Sequence, residues 1–147
     1  MAYGDGKVRI EDFGLFDDSD RPSNMLMKKN PFKIKLKVRF LKDVEHPIFT
    51  YTFKNVRGVD ITGTNTMFER VDVELAKAGE VYEVTFAQKA MMQGGEYMMS
   101  FSCTGFENGE FVVHQRLYDI TKVAIVSEQD TVGFFDLDSK VTVEKLQ

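Results

Sequence analysis

The stretch Pro47–Thr66, PIFTYTFKNVRGVDITGTNT, decides the fold class of this 147-residue chain. Its aromatic residues recur at every second position, as Phe49, Tyr51 and Phe53. A period of two is typical of a strand with one buried face. The polar residues and glycine of Lys54–Gly58 indicate a reversal, and Val59 to Ile61 begins a return strand. The stretch therefore predicts a β-hairpin.

The hairpin ends in a polar tetrad, Gly63-Thr64-Asn65-Thr66. Two hydroxyls and an amide after a glycine can satisfy the local backbone, or they can offer hydrogen bonds to a polar ligand. Asn65 is therefore a candidate ligand-binding residue, with a structural role in the turn as the alternative.

A second alternating segment covers Lys33–Lys42. Its apolar residues are Ile34, Leu36, Val38 and Phe40, and they alternate with Lys33, Lys35, Lys37 and Arg39. We expect one buried face and one cationic face. The cationic face is either a solvated surface that protects a sheet edge or a basic wall for an anionic sugar or phosphate.

Further strands are predicted at Val81–Gln88, Tyr97–Cys103, Phe111–Tyr118, Val123–Val126 and Val141–Val143. The first two flank the turn Gln93-Gly94-Gly95, which suggests a second hairpin. No stretch keeps a helical period; Asp72–Ala78 could form one helical turn, although Val71 and Val73 argue equally for a strand. The pattern predicts one all-β domain over residues 1–147, an antiparallel β-sandwich of jelly-roll or immunoglobulin-like type.

Composition excludes several classes of function. A net charge of −4 and a pI near 5.2 argue against nucleic-acid binding, which requires a basic surface. No apolar run is long enough to cross a bilayer. The single Cys103 excludes an internal disulfide and fits a reducing compartment, which favours the cytoplasm.

Catalysis, metals and cofactors have little support in the sequence. His46 and His114 lack the spacing of a zinc site. Cys103 alternates with apolar residues, so we expect a buried, inert thiol. The polar loop Asp17–Asn24 breaks the EF-hand pattern. No spacing picks out a pair of carboxylates among Glu69, Asp72, Glu74, Glu80 and Glu83. We predict no catalytic residue, no metal and no cofactor.

Ligand binding requires aromatic and hydrogen-bonding side chains, which the chain has in quantity. The predicted non-core face of Phe111–Tyr118 combines an imidazole, a guanidinium and a phenol, and hydroxyls lie on the same side of two other strands. Aromatic rings pack on pyranose C–H groups, and hydroxyls, amides and guanidinium groups bond to sugar hydroxyls. The candidate ligand-binding residues are His114, Arg116, Tyr118, Thr50, Thr52, Asn65, Ser100 and Ser102. The alternative is ordinary surface polarity.

Five stretches in order resemble one family, the C-terminal carbohydrate-binding domain of Wzt-type ATPases. These proteins are subunits of bacterial ABC transporters that export lipid-linked O-antigen polysaccharide. The stretches are Tyr3–Ile10 (YGDGKVRI), Asp17–Asp20 (DDSD), Gly63–Thr66, Gly95–Tyr97 and Tyr118–Asp119. Family members often carry a tryptophan near the end, whereas this chain has none, so no role of that residue transfers.

The resemblance implies a non-catalytic sandwich that recognises the finished, often capped, end of a polysaccharide. The chain has no Walker A sequence, so it would be a domain detached from its ATPase. The implied partners are the glycan, the ATPase domain and the membrane permease, at the cytoplasmic face of the inner membrane. A homodimer is also implied, in some members with an exchanged C-terminal strand, for which Val141–Leu146 is a candidate.

Two alternative functions stay open, one of a different functional class and one in a different cellular compartment. A protein-interaction module would show Phe106, Phe134 and Phe135 as one apolar patch, whereas a groove of tyrosine, arginine and hydroxyls favours glycan. A carbohydrate-binding module of an extracellular polysaccharide-degrading enzyme would share the fold and ligand class but be joined to a hydrolase.

Overall fold

A computed structural model describes residues 2–147. The strands are β1 Ala2–Tyr3, β2 Val8–Phe16, β3 Met25–Met27, β4 Pro31–Phe40, β5 Val44–Glu45, β6 Ile48–Asn55, β7 Asp60–Asn65, β8 Leu75–Ala76, β9 Val81–Lys89, β10 Gly95–Glu107 and β11 Glu110–Val126. No helix that could span a membrane occurs in this described range.

Two sheets form the sandwich. The larger sheet has the order β1-β11-β10-β6-β7, and the smaller has the order β2-β4-β9. The main pairings are antiparallel, whereas β3 adds to β11 in parallel. This order matches strands A-B-E facing G-F-C-C′ of an immunoglobulin-like sandwich. The predicted all-β sandwich is confirmed, with immunoglobulin-like rather than jelly-roll connectivity.

The core lies between the two sheets and is rich in aromatic rings. Phe40, Phe53 and Phe101 are almost fully buried. Phe13 of the smaller sheet meets Phe101 of the larger one with 5.1 Å between ring centroids. Phe40 likewise meets Phe49 edge to face at 6.3 Å. These contacts join the sheets through the alternating apolar positions that the sequence predicts.

The first hairpin and the cationic strand are confirmed. Strands β6 and β7 pair with Phe53 opposite Thr62. Strand β4 buries its apolar residues, and its four cations lie within ion-pair distance of acidic residues. Asp20 pairs with Lys33 and Lys35, and Glu11 pairs with Lys37 and Arg39. Two carboxylates thus partner four cations, so the outer face of the strand is only partly neutralised within the chain and keeps a net positive charge.

Two local predictions differ from the structure of the single chain, and a third segment takes the strand alternative. Strands β9 and β10 do not form a hairpin, because β9 pairs with β4 while β10 pairs with β6 and β11 in the other sheet. Ala90 and Met92 are buried where the chain crosses between the sheets. Asp72–Ala78 contains strand β8 instead of a helical turn. Val141–Val143 has no strand partner here, and Val123–Val126 continues β11.

A buried lysine fastens the segment that follows β11. The Lys28 side chain is only 4% exposed, and its Nζ lies 2.8 Å from Oδ2 of Asp136. The same ammonium donates to Gln93 Oε1 and to the carbonyl of Gln129. The hydrogen bond from Lys28 lowers the pKa of Asp136. Beyond this anchor, Val141, Val143 and Leu146 are all exposed.

The core contacts predict a sharp contrast between two phenylalanines. We expect Phe101→Ala to lower the free energy of unfolding by about 3–5 kcal/mol, because a buried ring leaves a cavity. Phe68→Ala serves as the control, since Phe68 is 68% exposed; its effect should stay within about 0.5 kcal/mol. Urea denaturation measures both values, and equal losses would contradict the described core.

Candidate functional site

The outer face of the larger sheet carries one continuous row of polar side chains. Register places Tyr3 opposite Arg116, Arg116 opposite Ser102, Ser102 opposite Thr50, and Thr50 opposite Asn65. Directly opposed residues share a face of the sheet. With strands about 4.8 Å apart, the row spans roughly 19 Å.

A depression of about 250 Å³ opens on this face. Its lining consists of Thr50, Thr52, Lys54, Asp60, Ser100, Phe101, Ser102, Arg116 and Tyr118. Six of the eight candidates from the sequence therefore lie around a single cavity. Four short hydroxyl side chains form its floor, while larger cationic and aromatic groups form its wall.

The floor hydroxyls are held in place by the sheet. Ser100 and Ser102 of β10 are only 7% and 4% exposed, because β10 lies between β6 and β11. The Asp119 backbone N–H donates to Ser100 Oγ at 2.8 Å. The floor is consequently rigid, and its hydroxyls need little ordering when a ligand binds.

Arg116, Tyr118 and Lys54 of the wall form a cluster with Tyr3, which lies just outside the lining. The Tyr3 and Tyr118 rings stack with centroids 6.0 Å apart, and the Arg116 guanidinium carbon lies 5.7 and 5.9 Å from them. Arg116 Nη1 also donates to the Tyr3 hydroxyl at 2.9 Å. On the other side, Lys54 Nζ lies 5.0 Å from the Tyr118 ring centroid. Such contacts hold the guanidinium and rings in fixed orientations.

An irregularity in β11 shapes this wall. Met99 pairs with Thr121 while Phe101 pairs with Leu117, so three residues of β11 face one residue of β10. Within this bulge Asp119 adopts a φ of 46°, and its carboxylate lies 3.6 Å from Lys54 Nζ. The bulge re-aims the side chains around Tyr118 towards the cavity, as bulges commonly do beside binding sites.

His114 differs from the prediction, because it does not share the exposed face with Arg116 and Tyr118. The register shifts between Cys103–Gln115 and Thr104–Val113, which leaves His114 as the extra residue of a second bulge. The shift breaks the alternation on which the prediction rested. His114 is 1% exposed, and its Nδ1 lies 3.0 Å from Oδ2 of Asp5.

Asn65 lies at the far end of the polar row, outside the cavity lining. Its Oδ1 accepts a hydrogen bond from the Phe68 backbone N–H at 2.7 Å, as in a turn that begins at an asparagine. The neighbouring Thr66 hydroxyl accepts from the Phe49 N–H at 3.0 Å. Both side chains therefore accept hydrogen bonds from the local backbone, which is the structural role given above as the alternative for the tetrad.

Three residues near the cavity were missed from the sequence. Lys54 continues the period of Thr50 and Thr52, so strict alternation would have found it. Asp60 lies opposite Lys54 across the hairpin, a register that the turn sets. No local sequence pattern indicates Tyr3 as a site residue, because its contact with Arg116 joins residues that are far apart in the sequence.

A second, more apolar cavity of about 480 Å³ lies between β6 and β9, where the sandwich is open. Phe49, Tyr51, Val84 and Phe86 are among its lining residues. Burial raises the pKa of Tyr51, and the nearby Glu69 raises it further. This cavity resembles an incompletely covered part of the core more than a polar binding site.

Cys103 and one cluster of possible metal ligands bear on catalysis and metal binding. Cys103 is fully buried as predicted, and burial raises the pKa of its thiol, so the reactive thiolate is disfavoured. Ligand atoms of Asp5, Glu107 and His114 lie within 4.8 Å of one another. Lys7 Nζ already lies 2.5 Å from Glu107, and its positive charge opposes a cation there.

The apolar patch expected of a protein-interaction module does not form. Phe134 and Phe135 lie beside Gln93 and Met92, just before β10 begins. Phe106 lies near the other end of β10 and packs against Phe111 at 5.7 Å between centroids. Gly95 to Phe106 covers eleven residues of rise along the strand, which separates the two groups by roughly 36 Å, so they cannot act as one surface.

This fold and site define an immunoglobulin-like binding domain, and comparison with known proteins gives its family. Residues 1–137 match the Wzt C-terminal domain family, and the chain belongs to it. No curated protein sequence matches the chain. The crystal structure of a Wzt C-terminal domain superposes with a TM-score of 0.90 at 21% identity, covering 98% of this chain and 88% of that one.

A second matched structure is less similar. A β-glucosidase from Listeria innocua in complex with gluconolactone gives a TM-score of 0.42 at 13% identity, with 78% of this chain and 16% of that chain covered.

Wzt C-terminal domains form a non-catalytic binding family, and membership supports a carbohydrate-binding role in an ABC transporter.

The buried thiol predicts resistance to alkylation. Because Cys103 is fully covered and its pKa is raised, we expect no measurable reaction with iodoacetamide at neutral pH in the native domain. The same reagent should modify one thiol after denaturation, which controls for reagent activity. Mass spectrometry reads both states, and rapid native modification would contradict the described burial.

Proposed function

We propose that this domain binds the terminus of a lipid-linked cell-surface polysaccharide and does not itself catalyse a reaction. The observation that supports this most directly is the cavity on the larger sheet, where the hydroxyls of Thr50, Thr52, Ser100 and Ser102 lie below Arg116 and Tyr118. Family membership supplies the ligand class.

The chemistry of the cavity suits a sugar. Pyranose rings have C–H faces that pack on aromatic rings such as Tyr118, and hydroxyl edges that need hydrogen-bonding partners. The floor hydroxyls both donate and accept, and Arg116 adds donors in a fixed orientation. Binding at one shallow depression suits the end of a polymer, whereas a long open groove would suit its interior.

The role in transport follows from this binding. In the proposed mechanism, a completed chain end occupies the cavity, and an ATPase domain on the same full-length protein then drives export through a membrane permease. The domain would work at the cytoplasmic face of the inner membrane. The recognition step needs no cofactor, because it consists of hydrogen bonds and ring packing.

We further propose a homodimer that exchanges the C-terminal segment. Val141, Val143 and Leu146 are all at least 80% exposed, although they are apolar. Strands β7 and β9 each pair on one side only and flank the open 480 Å³ cavity. Adding the segment of a second copy at this opening would cover apolar side chains on both partners. Two sites on one dimer would raise the effective affinity for clustered glycans.

The glycan prediction concerns the cavity wall. We expect Arg116→Ala combined with Tyr118→Ala to weaken binding of the recognised polysaccharide at least about tenfold, because both groups lie at the centre of the surface. Calorimetry with capped and uncapped cell-surface polysaccharides, including that of the source strain, measures the affinity. Lys37→Ala is the control, since Lys37 lies on the smaller sheet.

The calorimetry experiment has three distinguishable outcomes. Saturable binding to one capped polymer, lost in the double variant and kept in Lys37→Ala, is the expected result. Wild-type affinity in a folded double variant would remove this face as the site. Absence of binding to every glycan by the folded wild-type domain would contradict carbohydrate recognition and favour a protein-interaction role.

The dimer prediction concerns the C-terminal segment. In an added strand, Val141 and Val143 share one face and Thr142 lies on the other. We expect Val141→Asp with Val143→Asp to convert the dimer into a monomer, because charge cannot be buried at the apolar opening. Thr142→Asp is the matched control and should stay dimeric. Light scattering coupled to size-exclusion chromatography gives the mass, and a dimer in the double variant would contradict the exchange.

A further inference from the structure

The N-terminal segment Ala2–Gly6 folds back along β11 beside the candidate site. Ala2 pairs with Leu117 and Tyr3 with Arg116. The backbone N–H groups of Asp5 and Gly6 donate to the carbonyls of Val113 and His114 at 3.0 and 3.3 Å. The segment thus extends the sheet by one strand at the edge of the polar row.

Side chains fasten the segment as well. Asp5 accepts hydrogen bonds from the Lys7 backbone N–H at 3.0 Å and faces His114 Nδ1 at 3.0 Å. Burial alone would raise the pKa of Asp5, but these two hydrogen bonds and the nearby charges of His114 and Lys7 together lower it. The buried His114, which does not reach the cavity, therefore has a structural partner in this segment.

The docked position requires glycine at residue 4. A Cβ there would lie 2.2 Å from the carbonyl oxygen of His114, and φ is +150°. Both the clash with backbone atoms and the backbone conformation exclude other residues. Substitution at Gly4 therefore displaces the segment without altering any side chain of the cavity.

Docking places Tyr3 where it holds Arg116. Its hydroxyl accepts from Arg116 Nη1, and its ring stacks on Tyr118, while 44% of the residue stays exposed. Among the residues described, no carboxylate lies within ion-pair distance of Arg116. Tyr3 is thus the side chain that fixes the orientation of the guanidinium.

We propose that Ala2–Gly6 is a clasp that completes the ligand site, with Tyr3 as the residue that positions Arg116 and adds a ring to the wall. Docking of the clasp and ligand binding then favour each other, because equilibrium coupling between two events is reciprocal. Ligand binding should stabilise the docked strand, and a displaced strand should weaken binding. This inference rests on the proposed glycan-binding function.

Three variants test the clasp with the source strain's polysaccharide as the probe. We expect Gly4→Ala and Tyr3→Ala each to weaken binding by about threefold to tenfold, which is the range for a lost cation–π and stacking contact. Tyr3→Phe keeps the ring and removes the acceptor, so its loss should be smaller. Gly79→Ala is the control for backbone strain, because Gly79 has a φ of +91° in a turn outside the site.

Hydrogen exchange supplies a second readout. The amides of Asp5 and Gly6 should exchange more slowly in wild-type protein when the polysaccharide is bound, whereas a merely structural segment would show no change. Wild-type affinity in both Gly4→Ala and Tyr3→Ala, with Arg116→Ala defective, would overturn the clasp and leave the proposed function standing. A wild-type domain that binds no polysaccharide would overturn both.

Discussion

Strand β10 organises the sandwich, because its middle residues are buried on both faces of the larger sheet. Met99, Phe101 and Cys103 fill the core on one side, while Ser100 and Ser102 lie under the cavity on the other. Pairing with β6 and β11 satisfies its backbone on both edges. The strand therefore transmits the rigidity of the core directly to the floor of the site.

This arrangement places the residues of the core and those of the candidate site on opposite faces of the same strands. The apolar positions of β6 and β10 bind the two sheets, and the intervening positions lie on the outer face with the candidate site. Residues of the cavity wall can therefore vary without disturbing the core, since they lie on the opposite face.

Period-two alternation was enough to predict the fold class and six of the cavity residues, because it reports which face of a strand is apolar. It failed where the register is irregular. His114 is buried because a bulge in β11 breaks the alternation, and no local sequence feature marks that bulge. The sequence predicts a hairpin turn after β9, whereas the chain crosses there to the other sheet. Gly94 and Gly95 suit a turn as well as such a crossing.

NMR chemical-shift mapping of the domain with its polysaccharide would locate the binding site residue by residue. We predict that the largest shifts fall on the outer face of the larger sheet, at Thr50, Ser102 and Arg116, with smaller shifts at Tyr3. Shifts concentrated around Tyr51 and Phe86, in the opening between the sheets, would contradict this prediction.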